Sequence, residues 1–98
     1  MKVVTKPSRE AIAQAIHSSM SPNKVVQAYL FGSYARGEAS ASSDIDVAVD
    51  MAAGANLLDL VGFQQELEEK LGIPVDVTTR RAINKRLKDS IEADLIAV

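Results

Sequence analysis

Leu30-Phe31-Gly32-Ser33-Tyr34-Ala35-Arg36-Gly37, followed a few residues on by Ser43-Asp44-Ile45-Asp46-Val47-Ala48-Val49-Asp50, is the stretch that organises this chain. Its second half alternates, with Ile45, Val47 and Val49 at every other position and Asp44, Asp46 and Asp50 between them. Successive side chains of a strand leave opposite faces, so this period predicts a β-strand over 44–50 with one buried face. The first half reads differently. Lys24 to Phe31 is rich in Val, Tyr, Leu and Phe and is bounded by Pro22-Asn23 and Gly32-Ser33, which predicts a buried strand ending at the glycine. Ser33 to Gly37 can then make one helical turn, and Glu38 to Ser43, small and polar, reads as a loop.

Working outward, Ser8 can cap a helix whose apolar positions Ile12, Ala15 and Ile16 recur at helical spacing and which ends in the cluster Ser18-Ser19-Met20-Ser21-Pro22-Asn23. Asn56 with Asp59 three residues on starts a central helix. Leu57, Leu60, Val61, Leu67 and Leu71 are expected on its core face, and Gly72 is its stop. Ile73 to Thr79 gives a third strand with Val75 and Val77 on one side and Asp76 on the other, and a last helix carries Ile83, Leu87, Ile91 and Leu95. The order helix, strand, strand, helix, strand, helix predicts a small α/β (α+β) sheet with helices on its apolar face and the opposite face free for chemistry. Periodicity leaves the strand directions open, although a strand, helix, strand passage favours a crossover connection.

A length of 98 residues suits a single domain, 1–98, too small for a catalytic domain plus a separate acceptor-binding one, so half of any two-substrate reaction is expected from elsewhere. With 47% hydrophobic and 24% charged residues, no apolar run long enough to cross a bilayer and no signal-peptide pattern, the chain is expected in the cytoplasm. The absence of cysteine leaves carboxylates as ligands for any metal. A net charge of -2 argues against nucleic acid as the main partner.

Asp44 and Asp46, two apart on a strand, leave the same face, opposite Ile45, Val47 and Val49. Two adjacent carboxylates repel each other, and a shared divalent cation relieves that repulsion; hard oxygen ligands suit Mg²⁺ or Mn²⁺. Asp76 offers a third carboxylate, to bridge a second metal or to take the proton of an attacking hydroxyl. Gly32 would let a phosphate approach the backbone, Ser33 offers a hydroxyl and an amide, and Arg36 is equally suited to meet a phosphate oxygen or to brace the turn. Tyr34 is open between an exposed aromatic, a partner contact and a residue packed near the site. His17 reads as a surface residue. Arg80, Arg81, Lys85, Arg86 and Lys88 read as a solvated basic face, with an acidic partner or RNA as the alternative.

Gly32-Ser33-Tyr34-Ala35-Arg36-Gly37 followed by Ser43-Asp44-Ile45-Asp46-Val47 resembles the signature of the DNA polymerase beta-like nucleotidyltransferase superfamily, and the whole chain resembles its minimal nucleotidyltransferase family. The resemblance implies a small mixed β-sheet with helices on one side, and two metal ions on Asp44 and Asp46 with Asp76 completing the set as ligand and base. It also implies a nucleotide-binding set of Gly32, Ser33, Arg36 and Ser43 that takes ATP or another NTP. Members of that family are commonly antitoxins paired with a small helical HEPN-type toxin, and some silence it by moving AMP from ATP to a tyrosine. A different class of function is a non-catalytic module that neutralises or scaffolds its partner by contact alone.

Overall fold

The computed structural model describes residues 7–37, 44–82 and 96–98. Helix α1, Arg9–Met20, starts where Ser8 predicts, its Oγ accepting the Ala11 amide at 3.0 Å. It continues through the first serines of the predicted breaker. Ser18 Oγ donates back to the Ala15 carbonyl at 3.1 Å, and Ser19 is buried, so these serines are accommodated within the last turn. Pro22 falls inside a short 3-10 turn, Ser21–Asn23, and Lys24 at φ 60° turns the chain into strand β1, Val25–Phe31.

β1 leads directly into a five-residue helix, α2, Gly32–Arg36. Strand β2, Ile45–Met51, lies antiparallel to β1, with Phe31 opposite Asp46 and Tyr29 opposite Ala48. Helix α3, Leu57–Leu71, crosses over to strand β3, Val75–Thr79, which lies parallel to β2 with Asp76 opposite Asp46. Strand β4, Ile96–Ala97, pairs antiparallel with the outer edge of β1, giving the order β3-β2-β1-β4. The sheet is therefore mixed, an α+β fold. The antiparallel pair needs only a short connection, whereas the parallel pair needs the helical crossover. β4 has no counterpart in the sequence reading, because two residues carry no period. Residues 80–82 are helical, and Ile83, Leu87, Ile91 and Leu95 of the expected last helix lie outside the described residues.

One face of the sheet is the core. Ile45, Val47, Val49, Ala28, Leu30, Val75 and Val77 meet Ile12 and Ile16 of α1 and Phe63 and Leu67 of α3. α3 begins with the expected capping box: the Asp59 amide donates to Asn56 Oδ1 at 3.1 Å and the Asn56 amide to Asp59 Oδ2 at 2.9 Å. It ends at Gly72 with φ 72°. Its inward face differs from expectation. Leu57 and Val61 are 72% and 42% exposed, and the stripe that packs runs through Leu60, Phe63, Leu67 and Leu71. Leu57 is the first residue of α3, about one turn before Leu60, and Val61 sits about 100° round the helix from Leu60. Among the described residues, no helix is long and apolar enough to cross a membrane.

Candidate active site

Register decides what meets on the other face. Because Phe31 pairs with Asp46 and Asp46 with Asp76, the end of β1 and the starts of β2 and β3 lie side by side. Adjacent strands are about 4.8 Å apart, so Asp46 and Asp76 are neighbours on one surface. Asp44 and Asp76 are exposed and Asp46 is half-buried between them. Burial raises the pKa of Asp46, the charges of Asp76 and then Asp44 raise it further, and the Arg36 guanidinium pulls it part of the way back. The structure thus gathers Asp44, Asp46, Asp76 and Arg36 into one electrostatic group.

Gly32 is held to this group more closely than its sequence reading implies. Its φ is +74°, and a Cβ there would sit inside the contact distance of Asp46 Oδ2, with Asp46 Cγ at 3.2 Å and Cβ at 3.4 Å. The group that approaches the backbone of Gly32 is therefore the Asp46 carboxylate. Only glycine meets both demands, the left-handed backbone and the vacant side-chain position. Gly37, also at φ +74°, closes α2, and its amide donates to the carbonyls of Ser33 and Tyr34. Tyr34 and Ala35 are buried in the core, which leaves Ser33 and Arg36 toward the outside. Tyr34 is therefore a packing residue rather than an exposed aromatic, and burial pushes its phenol pKa up.

Asp50 has the same alternating placement as Asp46 but a different environment. Arg80 Nη1 lies 3.4 Å from Asp50 Oδ2, donates to Tyr29 Oη at 2.7 Å, and its guanidinium stacks 5.0 Å from the Tyr29 ring centroid. Arg80 is thereby an anchored residue at the sheet and not part of a free basic face, while Arg81 is exposed as expected. Lys85, Arg86, Lys88 and Ser43 lie outside the described residues. His17, in the last turn of α1, is exposed beside an open cleft of about 520 Å³ lined also by Met20, Lys24, Val26 and Ala52, at the end of β1 opposite Gly32. That cleft is remote from the carboxylates.

Arg9 is the residue that sequence reasoning missed. From the first turn of α1 its Nη2 donates to the Ala35 carbonyl at 2.9 Å and more weakly to that of Tyr34 at 3.5 Å. An arginine in an exposed first turn carries no signal of such a contact.

Among the described residues, no three His, Cys, Asp or Glu side chains close round a cation by themselves. The donors nevertheless suit Mg²⁺, which takes one or two protein carboxylates and completes its octahedron with water and phosphate oxygens. Burial is the main cause of the raised pKa of Asp46, and the charges of Asp76 and Asp44 add to it a repulsion that a cation would relieve.

Residues 12–98 match the family model described as the nucleotidyltransferase domain, and the chain belongs to that family. Among its relatives, a protein of Methanocaldococcus jannaschii provisionally named a protein adenylyltransferase is 49% identical over 74 residues, covering 76% of this chain and 80% of the relative. A solved structure provisionally described as a minimal nucleotidyltransferase superposes with a TM-score of 0.79 at 34% identity, covering 91% of each chain. The crystal structure of a toxin–antitoxin with AMP-PNP superposes with a TM-score of 0.60 at 32% identity, over 70% of this chain and 57% of that one.

Proposed function

We propose that the chain moves AMP from ATP to a hydroxyl on a partner protein, and that the partner is a HEPN-type toxin whose tyrosine receives the nucleotide. The observation that carries this reading is the register Phe31–Asp46–Asp76, which puts the Gly-Ser turn and the carboxylates at one corner of the sheet. The name of the jannaschii relative supports the transfer to protein, and the toxin–antitoxin neighbour with AMP-PNP supports both the nucleotide and the partner.

Asp44 and Asp46 would hold Mg²⁺ or Mn²⁺, with Asp76 beside them for a second ion. A divalent ion bound there supplies charge neutralisation for the phosphate oxygens. The chain's own groups do the rest. Ser33 donates its hydroxyl to the triphosphate, and Arg36 meets a phosphate oxygen while balancing the charge of Asp46. Asp76, exposed and next to Asp46, accepts the proton as the acceptor oxygen bonds to the α-phosphorus and the bond to pyrophosphate breaks. Ser33 and Arg36 come from α2, Asp46 from β2 and Asp76 from β3, so the paired strands and the turn between them bring these groups together for substrate.

The test is label transfer: purified protein with Mg²⁺ and each α-labelled NTP in turn, added to host lysate, with Asp46→Ala as the control. Label on a small protein, from ATP and only with the unaltered chain, is the expected result. Label on RNA or a small molecule would keep the transfer chemistry and remove the toxin acceptor. Protection of cells by Asp46→Ala as complete as by the unaltered chain would replace catalysis with neutralisation by contact.

A further inference from the structure

We infer that Arg9 is a positioning residue for the triphosphate, acting through the turn it braces; the inference rests on the nucleotidyltransfer reading above. α2 has five residues, too few to persist as a helix without support. Its first residue is tied to β1, its inner side is fixed by buried Tyr34 and Ala35, and the Gly37 amide takes the Ser33 and Tyr34 carbonyls. The Ala35 carbonyl points out of the last turn, where a helix leaves acceptors without intrahelical partners. Arg9 supplies the donor at 2.9 Å and places a positive charge at the negative end of the turn.

Arg9 is itself well founded. It opens α1, whose Ile12 and Ile16 are fully buried, so the guanidinium is carried on an element locked into the core. Its side chain links that element to the turn bearing Ser33 and Arg36. Nothing in the core depends on it, because Arg9 is exposed and the apolar cluster closes without it. Its loss should therefore loosen the turn and leave the fold intact. Ser33 and Arg36 would then sample more positions relative to Asp46, and a misplacement of about 1 Å is enough to weaken a convergent site strongly.

The experiment uses the full chain and Mg-ATP, with Arg9→Ala, Arg9→Lys and Asp46→Ala, measuring affinity by calorimetry, kcat and KM by label transfer, and amide exchange at Gly37. Arg9→Ala is expected to weaken Mg-ATP binding about tenfold, the size of effect that loss of one charge-assisted hydrogen bond produces. KM should rise more than kcat falls, the Gly37 amide should exchange faster, and the thermal midpoint should move little. Arg9→Lys should recover part of the affinity, since an ammonium keeps the charge and a donor for the Ala35 carbonyl but is shorter and lacks the fixed planar geometry of the guanidinium. Should Arg9→Ala fail to fold, Arg9→Lys carries the test by the same affinity and exchange readouts. An Arg9→Ala protein that binds Mg-ATP as the parent does, while Asp46→Ala loses binding, overturns the role of Arg9 and leaves the nucleotide reading standing. A parent that does not bind Mg-ATP overturns both.

Discussion

Replacing Gly32 by alanine should damage stability and nucleotide binding together, for two separable reasons. The first is backbone conformation. At φ +74° an L-residue with a Cβ costs about 1–2 kcal/mol relative to glycine. The second is collision. The new Cβ would overlap Asp46 Oδ2, so the carboxylate must swing away, and forcing a side chain some 30° off its rotamer costs about 0.5–1.5 kcal/mol. Together these give a destabilisation of roughly 1.5–3.5 kcal/mol, or a drop in thermal midpoint of about 6–28 °C for a chain of this size.

Gly72 separates the two effects. Its φ is +72°, and a Cβ there meets no atom within 4 Å, so Gly72→Ala carries the backbone penalty alone. Urea unfolding without metal or nucleotide should find Gly32→Ala the more damaging by about 1 kcal/mol. In an Asp46→Ala background that excess should vanish, as a double-mutant cycle requires when the collision is with Asp46 itself. A Mg-ATP titration then reads the displaced carboxylate directly, with Gly72→Ala binding normally and Gly32→Ala weakly. Equal destabilisation at the two glycines, or full Mg-ATP affinity in Gly32→Ala, would refute the claim that Gly32 is reserved for the Asp46 carboxylate.

Asp46→Asn should make the metal-free protein more stable at pH 7 while abolishing Mg-ATP binding, because burial and the charges of Asp76 and Asp44 disfavour its ionised form. The sign follows from a folded pKa above the unfolded one: the folded state holds this proton more firmly. In EDTA, stability should therefore fall as pH rises from the ordinary carboxylate range through the raised pKa of Asp46, then level off, and Asp46→Asn should lose that slope; an unchanged slope in urea melts would sink the assignment. Phe63→Ala should cost about 3–5 kcal/mol by emptying the core, whereas Leu58→Ala should stay within about 0.5 kcal/mol because Leu58 is 78% exposed. Chemical denaturation of the two variants checks which face of α3 packs.

The parts of the fold that sequence made legible are those fixed within a few residues. Alternation over 44–50 announces a half-buried strand, and the Gly32 and Gly37 flanks announce a tight turn, because strand pleat and positive φ are local demands. The capping residues Ser8 and Asn56 were readable for the same reason. What was not readable depends on distance along the chain. Asp46 and Asp50 follow one pattern, and only Arg80, thirty residues on, distinguishes the anchored acid from the one left beside other acids. Arg9 acts across twenty-six residues. Tyr34 occupies one helical turn, too short for a period to show which way it faces. On α3 the apolar set is wider than the contact, so periodicity placed Leu57 and Val61 inward and passed over Phe63.

Strand direction explains why such separate pieces converge. β1 is antiparallel to β2, so its C-terminal end, Gly32, arrives at the start of β2 beside Asp46. β3 is parallel to β2, so its start, with Asp76, arrives at that same end. Were β1 parallel instead, Gly32 would lie near Met51, five residues from Asp46 and so about 17 Å from it at about 3.3 Å per residue. The alignment is held from the opposite face. Sliding β2 by one residue would carry Ile45, Val47 and Val49 out of the core and Asp46 into it, an exchange that apolar burial and the cost of a buried carboxylate both oppose. The apolar positions of the strand therefore fix the register that the acidic positions require, and a substitution that loosens the core face should reach the carboxylates through register before it reaches them through contact.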